Sequence, residues 1–134
     1  MEKLNLSEDI VVFGDQVVTF PQGIGETFDQ LAGKIPEGRN RPWYGISWME
    51  GGKVIYYAVT AERYPGEAVQ HVYEILEIEK GMYVTVSLRN WQSKTDKIKD
   101  IFQEMMDSGK TDNGKPCIEW YKSPDEMICM MKAA

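Results

Sequence analysis

The sequence predicts an α+β fold of two β-α-β-β repeats with pseudo-twofold symmetry, antiparallel sheets and a ligand cleft between the halves. Three observations support this prediction: strand-like segments outnumber helical ones, one helical segment occupies the same place in each half, and a strand-turn-strand pattern follows each helix. One such unit is too small to cover its own apolar sheet face, and two units facing each other solve this. We therefore expect a single domain over 1–134, with halves at about 8–64 and 72–133.

The first half is predicted to contain a strand, a helix and a hairpin. The strand covers 10–20, with a bulge or turn at Gly14-Asp15. The helix covers 25–35, where apolar residues recur at helical spacing. Two strand-like segments, 43–49 and 53–62, are separated by a Gly-Gly turn and predict an antiparallel hairpin.

The second half repeats this order. Strand-like residues cover 73–89, with a break at Lys80-Gly81. The strongest helical pattern of the chain covers 94–108, and a capping box is predicted at its start, over 93–96. A last hairpin is predicted over 117–132.

The first strand of this last hairpin, Cys117–Tyr121, places one carboxylate among strand-forming residues. Side chains alternate across a strand, so Glu119 shares a face with Cys117 and Tyr121, while Ile118 and Trp120 face the other way. A buried, unpaired carboxylate is costly, and the strand supplies no cation on its face. Such a site suits a flat, apolar, positively charged ligand, to which aromatic faces add cation–π attraction.

A structural alternative for Glu119 stays open at this point. The carboxylate could lie on a solvent-facing strand surface beside Lys115 or Lys122. It would then be one more hydrated surface charge with little energetic weight.

Aromatic residues supply the other candidates for a ligand site. Tyr121 shares the Glu119 face, and Trp43 and Tyr44 begin a strand whose following residues include small ones. The remaining two candidates are Tyr57 and Trp91. Each aromatic residue taken singly is more typical of a core than of a binding site.

Composition narrows the class of protein. The net charge is −6 and no basic face stands out, so no direct nucleic-acid partner is expected. No apolar run has the roughly 18 residues of a membrane helix, and the mixed, acidic N-terminus does not match a signal peptide, so we expect no membrane association and a cytoplasmic location. Cys117 and Cys129 are expected to be reduced and not opposite each other, and no metal or cofactor is expected.

The order of elements and several short motifs resemble a known family. The second half, from KGMYVTVSLRNW to PCIEWYKSPDEMICMMKA, is similar to the small-molecule effector-binding domain of bacterial multidrug-responsive transcription activators of AraC and MerR type. The same domain occurs alone in the gyrase-inhibitory-protein-like group and in mobile gene-cassette proteins. The likeness covers nearly the whole chain and includes the apolar-Glu-x-Tyr motif at 118–121, the turn at 123–125 and the hairpin containing Trp43–Gly45 and Tyr56–Ala58.

The resemblance implies that Glu119 lies at the bottom of an aromatic-walled cleft and balances the charge of a lipophilic cation. It also implies a stand-alone binding domain, because the chain has no helix-turn-helix segment, and its methionine-rich last strand departs from many relatives. Two other functions stay open. One is a hydrolase of strained electrophilic natural products on the same scaffold, with Glu119 as general base. The other is an inhibitor of a cellular target, acting through a protein partner, and a weak homodimer is a further possibility.

Overall fold

The computed structural model describes all residues, 1–134. Eight strands form one curled antiparallel sheet, which two α-helices accompany, so the α+β prediction is confirmed. The helices are α1 (Ile24–Lys34) and α2 (Ile98–Asp107). The strands are β1 (Glu2–Leu6), β2 (Ile10–Gln16), β3 (Trp43–Glu50), β4 (Lys53–Ala61), β5 (Glu74–Ile78), β6 (Gly81–Arg89), β7 (Cys117–Tyr121) and β8 (Glu126–Lys132). No helix is long and apolar enough to cross a membrane.

The strand order is β1-β6-β8-β7-β3-β4-β2-β5, and every neighbouring pair is antiparallel. Reading outward from the central β3–β7 pair, β4-β2-β5 on one side mirrors β8-β6-β1 on the other. The two halves are therefore related by a pseudo-twofold axis at β3–β7. This arrangement matches the predicted tandem repeat, although the two halves share one continuous sheet rather than two.

The outer strands are exchanged between the halves, which the sequence analysis did not predict. β1 comes first in the chain but pairs with β6 of the second half, while β5 opens the second half and pairs with β2 of the first. The strand-like segment 73–89 separates into two strands at the predicted break, where Gly81 adopts a positive φ of 127°. The two exchanged strands occupy corresponding positions and have similar sequences, EKLNL and EILEI.

The predicted bulge or turn at Gly14-Asp15 is wrong. Both residues pair regularly, with Val59 and Ala58 of β4. Gly14 is instead a point of close backbone approach, because a Cβ atom there would overlap the carbonyl oxygen of Ala58. The strand ends at Gln16, earlier than predicted.

The predicted capping box before α2 is also wrong. The hydroxyl of Ser93 donates a hydrogen bond to the carbonyl of Asn90, behind it in the chain. Two short 3₁₀ turns, Trp91–Ser93 and Thr95–Lys97, precede the regular α-helix, which begins only at Ile98. Both helices otherwise form close to where apolar spacing predicted them, and Gly109 terminates α2 with φ of 75°.

Hydrophobic core residues lie on both faces of the sheet. On the face that carries the helices, α1 and α2 each cover a cluster of their own half, around Phe13 and Leu31 in the first half and Phe102 and Met105 in the second. The opposite face holds the third cluster, which draws residues from both halves. The helix-side surface of β3 and β7 lies between the two helical clusters, where the halves meet.

Candidate functional site

The candidate site is built on the central pair of strands. In the β3–β7 register, Gly45 lies opposite Glu119 and Trp43 lies opposite Tyr121. Alternation along β7 directs Glu119 and Tyr121 to the helix side, as the sequence predicted. The hydroxyls of Tyr56 and Tyr121 each donate a hydrogen bond of 2.6 Å to Oε1 of Glu119.

The second carboxylate oxygen of Glu119 is available. Oε2 forms no hydrogen bond or ion pair, and it is not completely buried, because no completely buried side-chain polar atom in the protein lacks a partner. Neither lysine of the alternative interpretation lies at this carboxylate, because Lys115 pairs with Glu79 and Lys122 with Glu126. Oε1 of the carboxylate thus accepts two hydrogen bonds, and Oε2 has no partner.

Gly45 makes the room for this arrangement. A Cβ atom at this position would overlap the hydroxyl of Tyr56 and would lie 2.8 Å from Oε1 of Glu119. Real Cβ atoms essentially never approach a heavy atom that closely, so any larger residue would displace the hydrogen-bonded group. The absence of a side chain at 45 is therefore part of the site.

Burial and hydrogen bonding oppose each other at Glu119. Desolvation raises the pKa of this carboxyl above its usual value, and the hydrogen bonds from Tyr121 and Tyr56 act in the opposite direction. Burial and the nearby carboxylate raise the pKa values of Tyr56 and Tyr121 well above that of free tyrosine. Both hydroxyls consequently keep their protons and remain donors to the carboxylate.

Aromatic rings surround the carboxylate and its two tyrosines. The ring of Phe28, on α1, packs edge-on against Trp43 at 5.9 Å and against Tyr121 at 5.2 Å between centroids. Trp91 packs against Tyr121 at 5.1 Å, and Phe20 stacks on Tyr56 at 5.3 Å. These rings and Glu119 define what we call the Glu119 site.

Two of the rings are oriented by hydrogen bonds. The indole nitrogen of Trp43 donates to the carbonyl of Gly38 at 2.6 Å, and that of Trp91 donates to the carbonyl of Ser123 at 3.1 Å. Both tryptophans retain partial exposure. They form fixed, partly exposed walls, since rotation of either ring would break its hydrogen bond.

Four of the six predicted site residues come together: Glu119, Tyr121, Trp43 and Trp91. The structure does not bring Tyr44 and Tyr57 to Glu119. Both lie on the opposite sheet face, where Tyr44 stacks on Trp120 and Tyr57 stacks on Trp48. The reason is alternation, because Trp43 and Tyr44 are adjacent in one strand and cannot share a face.

Three site residues were missed by the sequence analysis: Tyr56, Phe28 and Phe20. The position of Tyr56 was predictable from the Gly51-Gly52 turn. This turn sets the hairpin register, which places Tyr56 opposite Ser47 on the helix side of the sheet. Phe28 lies within the predicted helix 25–35, and helical spacing does not distinguish a site wall from a core position. Phe20 comes to Tyr56 only through the turn after β2, which no local pattern indicates.

An open cleft is not apparent at Glu119. The rings lie in contact with one another, and two cavities of the protein are lined by other residues, one on the opposite face of the sheet and one near the β1–β2 turn. The predicted ligand cleft therefore stays a prediction.

The two cysteines lie beside Glu119 and are free thiols. Cys129 is paired with Glu119 across β7–β8, and Cys117 is paired with Met131, so the cysteines are not opposite each other, as predicted. Burial, with a smaller contribution from Glu119, raises the pKa of Cys117 to about 11 and that of Cys129 to about 12. Both are therefore protonated at neutral pH and weak nucleophiles.

No protein-family model matches the sequence, and no curated protein matches it either. Solved structures match over almost the whole chain. An integron cassette protein from the mobile metagenome of Vibrio cholerae is 12% identical with a TM-score of 0.67, covering 99% of this chain and 95% of that one. A protein bound to tetraphenylphosphonium is 11% identical with a TM-score of 0.71, covering 99% and 93%.

Two further matches come from other functional classes. A putative transcription regulation protein from Staphylococcus aureus is 12% identical with a TM-score of 0.61, covering 98% of this chain and 95% of that chain. A hydrolase from Listeria innocua is 12% identical with a TM-score of 0.59, covering 99% and 90%. At these identities the matches show a shared fold. The fold is thus one found in a gene-cassette protein, a regulator, a hydrolase and a protein with a bound lipophilic cation.

Proposed function

We propose that the Glu119 site binds a lipophilic organic cation. The observation that carries this proposal is a largely desolvated carboxylate whose Oε2 has no partner and whose surroundings are aromatic. No lysine, arginine or histidine forms an ion pair with Glu119. The fold match to a protein bound to tetraphenylphosphonium, itself a lipophilic cation, supports the proposal.

The energetics favour a cation of this kind over an inorganic ion. Desolvating a carboxylate is costly, and a ligand that supplies positive charge recovers that cost without adding a polar group that needs its own partners. Aromatic faces add about 0.5–2 kcal/mol for each well-placed cation–π contact. A bulky ligand would replace some of the ring–ring contacts of Phe28 and Phe20, so it gains affinity only if its own rings fill the same space.

Titration calorimetry tests the proposal with two probes, tetraphenylphosphonium and neutral triphenylphosphine oxide. Glu119→Gln keeps the shape of the side chain and removes its charge, so it should cost the cation roughly 1.5–3 kcal/mol and spare the neutral probe. Glu104→Gln, at an exposed position on α2, is the matched control and should change neither affinity. Equal losses for both probes, or no loss for either, would contradict the proposal.

A hydrolase is the second candidate, and a specific observation favours it. The free Oε2 of Glu119 could accept a proton from water, while raised pKa values keep Tyr56 and Tyr121 protonated as donors. Two hydrolase structures from Listeria innocua share the fold. The substrates would be strained electrophiles that water opens by addition. Mass spectrometry of the compound recovered after incubation distinguishes the two candidates. A binding protein leaves the compound unchanged, whereas a hydrolase adds one water to it. In the hydrolase case, the Glu119→Gln variant should leave the compound unchanged.

A further inference from the structure

One edge of the sheet is formed by β5, which lies far from Glu119 in the strand order. β5 is the last strand of the sheet and pairs only with β2. No backbone group of 74–78 forms a hydrogen bond outside the sheet ladder. The outward-facing amides and carbonyls of β5 are therefore available to an added strand.

Three exposed apolar side chains lie beside this edge. Ile75, which lies opposite Phe13 on the helix side of the sheet, is 47% exposed. Val69 and Val72, in the segment that leads into β5, are 75% and 98% exposed. Strand β5, together with Val69 and Val72, forms what we call the β5 edge.

Charge at the β5 edge is negative. β5 reads Glu-Ile-Leu-Glu over 74–77. Glu77 forms no ion pair or hydrogen bond, and the carboxylate of Glu74 accepts only a neutral hydroxyl, that of Tyr57 at 2.5 Å. The two carboxylates flank two apolar residues and have no cation of their own.

The opposite edge of the sheet provides an internal comparison. β1 occupies the position equivalent to β5 and reads Glu-Lys-Leu-Asn over 2–5. Lys3 stands where β5 has Ile75, and Asn5 stands where it has Glu77. A lysine at an edge strand is a common protection against added strands, and β5 lacks it. The difference indicates that the β5 edge is suited to pairing and that the β1 edge is not.

We propose that the β5 edge is a docking site for an extended segment of a partner protein, whose sequence reads basic-apolar-apolar-basic. Strand addition would satisfy the free backbone groups of β5. Cross-strand pairing would set the two basic side chains opposite Glu74 and Glu77 and the apolar ones opposite Ile75 and Leu76, in either strand direction because the pattern is palindromic. A second copy of the chain fits less well, because its β5 would bring two more unpaired carboxylates.

Amide NMR with a synthetic peptide tests this proposal. The probe is acetyl-Thr-Lys-Val-Val-Lys-Thr-amide, and its control has Glu in place of Lys. We expect the Lys peptide to shift the amide signals of 72–78 and not those of 2–6. Ile75→Lys, which copies the residue at the equivalent position of β1, should abolish these shifts, and Glu77→Lys should weaken binding about tenfold.

Asn5→Lys is the matched control, because it places the same residue at the equivalent position of β1, and it should leave binding unchanged. The spectrum of each variant outside 72–78 reports that the fold is retained. No shift at β5, equal shifts at β1, or equal binding of the Glu peptide would overturn the proposal. Shifts of β5 that depend on protein concentration without peptide would assign the edge to a second copy and would overturn it too.

Discussion

The two halves of this protein have the same elements and contribute different chemistry to the Glu119 site. Gly45 and Glu119 are each the third residue of the strand that opens the hairpin of its half, and the register sets them opposite each other. One half supplies the charge and the other supplies the space for it. A symmetric pair of carboxylates here would repel, and a symmetric pair of glycines would leave no charge at this position.

The cores beneath the two helices also differ in their chemistry. The first half packs aromatic rings under α1 and contains a buried ion pair between Arg41 and Glu67. The second half packs methionines under α2, with Met105, Met127 and Met131 almost fully buried. Thioether side chains adapt to changes in shape more readily than rings do. The comparison suggests a first half that holds its geometry by directional contacts and a second half that can adjust.

The largest expected effect comes from breaking the directional contacts of the first half. Arg41 binds both oxygens of Glu67, at 2.6 and 3.0 Å, and both side chains are buried. Arg41→Met leaves the buried carboxylate of Glu67 with only the backbone N–H of Arg63 and the more distant His71 as partners, and it should lower the free energy of unfolding by about 3–5 kcal/mol in urea denaturation. The double variant Arg41→Met/Glu67→Met should recover most of that loss. A single-variant loss below about 1 kcal/mol would contradict the assigned rigidity.

The pH dependence of this ion pair has a definite sign. Its hydrogen bonds lower the pKa of Glu67 from 4.5 to about 2. A lowered carboxyl pKa contributes stability that is complete above about pH 4.5 and is lost as the pH falls through about 2. The double variant should lack this part of the acid transition.

An intermediate effect is expected at the pseudo-twofold axis. Gly45→Ala places a methyl group against the hydroxyl of Tyr56 and Oε1 of Glu119, and it should lower the free energy of unfolding by about 1–3 kcal/mol. Gly25→Ala, on α1 with no atom near its would-be Cβ, is the control and should not destabilise. Tyr56→Phe in the Gly45→Ala background should restore part of the loss, because it removes the atom that the methyl group meets. If the alanine variant is as stable as the parent protein, the axis is not as tightly packed as we infer.

The smallest expected effect concerns the hydrogen bond that the first half donates to the carboxylate of the second. Tyr56→Phe removes one of two donors to Oε1 and should cost about 1 kcal/mol of stability. It should also raise the pKa of Glu119 further, because that hydrogen bond stabilises the anion. Under the proposed function, the affinity for tetraphenylphosphonium should fall as the pH drops through the pKa of Glu119, and the midpoint of that fall should move to higher pH in Tyr56→Phe. Tyr44→Phe, on the opposite face, should leave the midpoint unchanged.

Sequence patterns alone determined the element order, the antiparallel hairpins, the two amphipathic helices and the shared face of Glu119 and Tyr121. These features depend on residues close together in the chain, whose periodicity reports which face of an element is buried. The separation of Tyr44 from Trp43 could also have been read from strand alternation.

Only the tertiary structure decided the exchange of β1 and β5, the pairing of Gly45 with Glu119, and the meeting of Tyr56, Phe28 and Phe20 at one carboxylate. Each of these depends on which distant strands become neighbours and in what register. No local pattern encodes that choice, because it is made by the joint burial of both halves in one sheet. The charge of the site was visible in one strand of the sequence, and the space, donors and walls around it came from the rest of the fold.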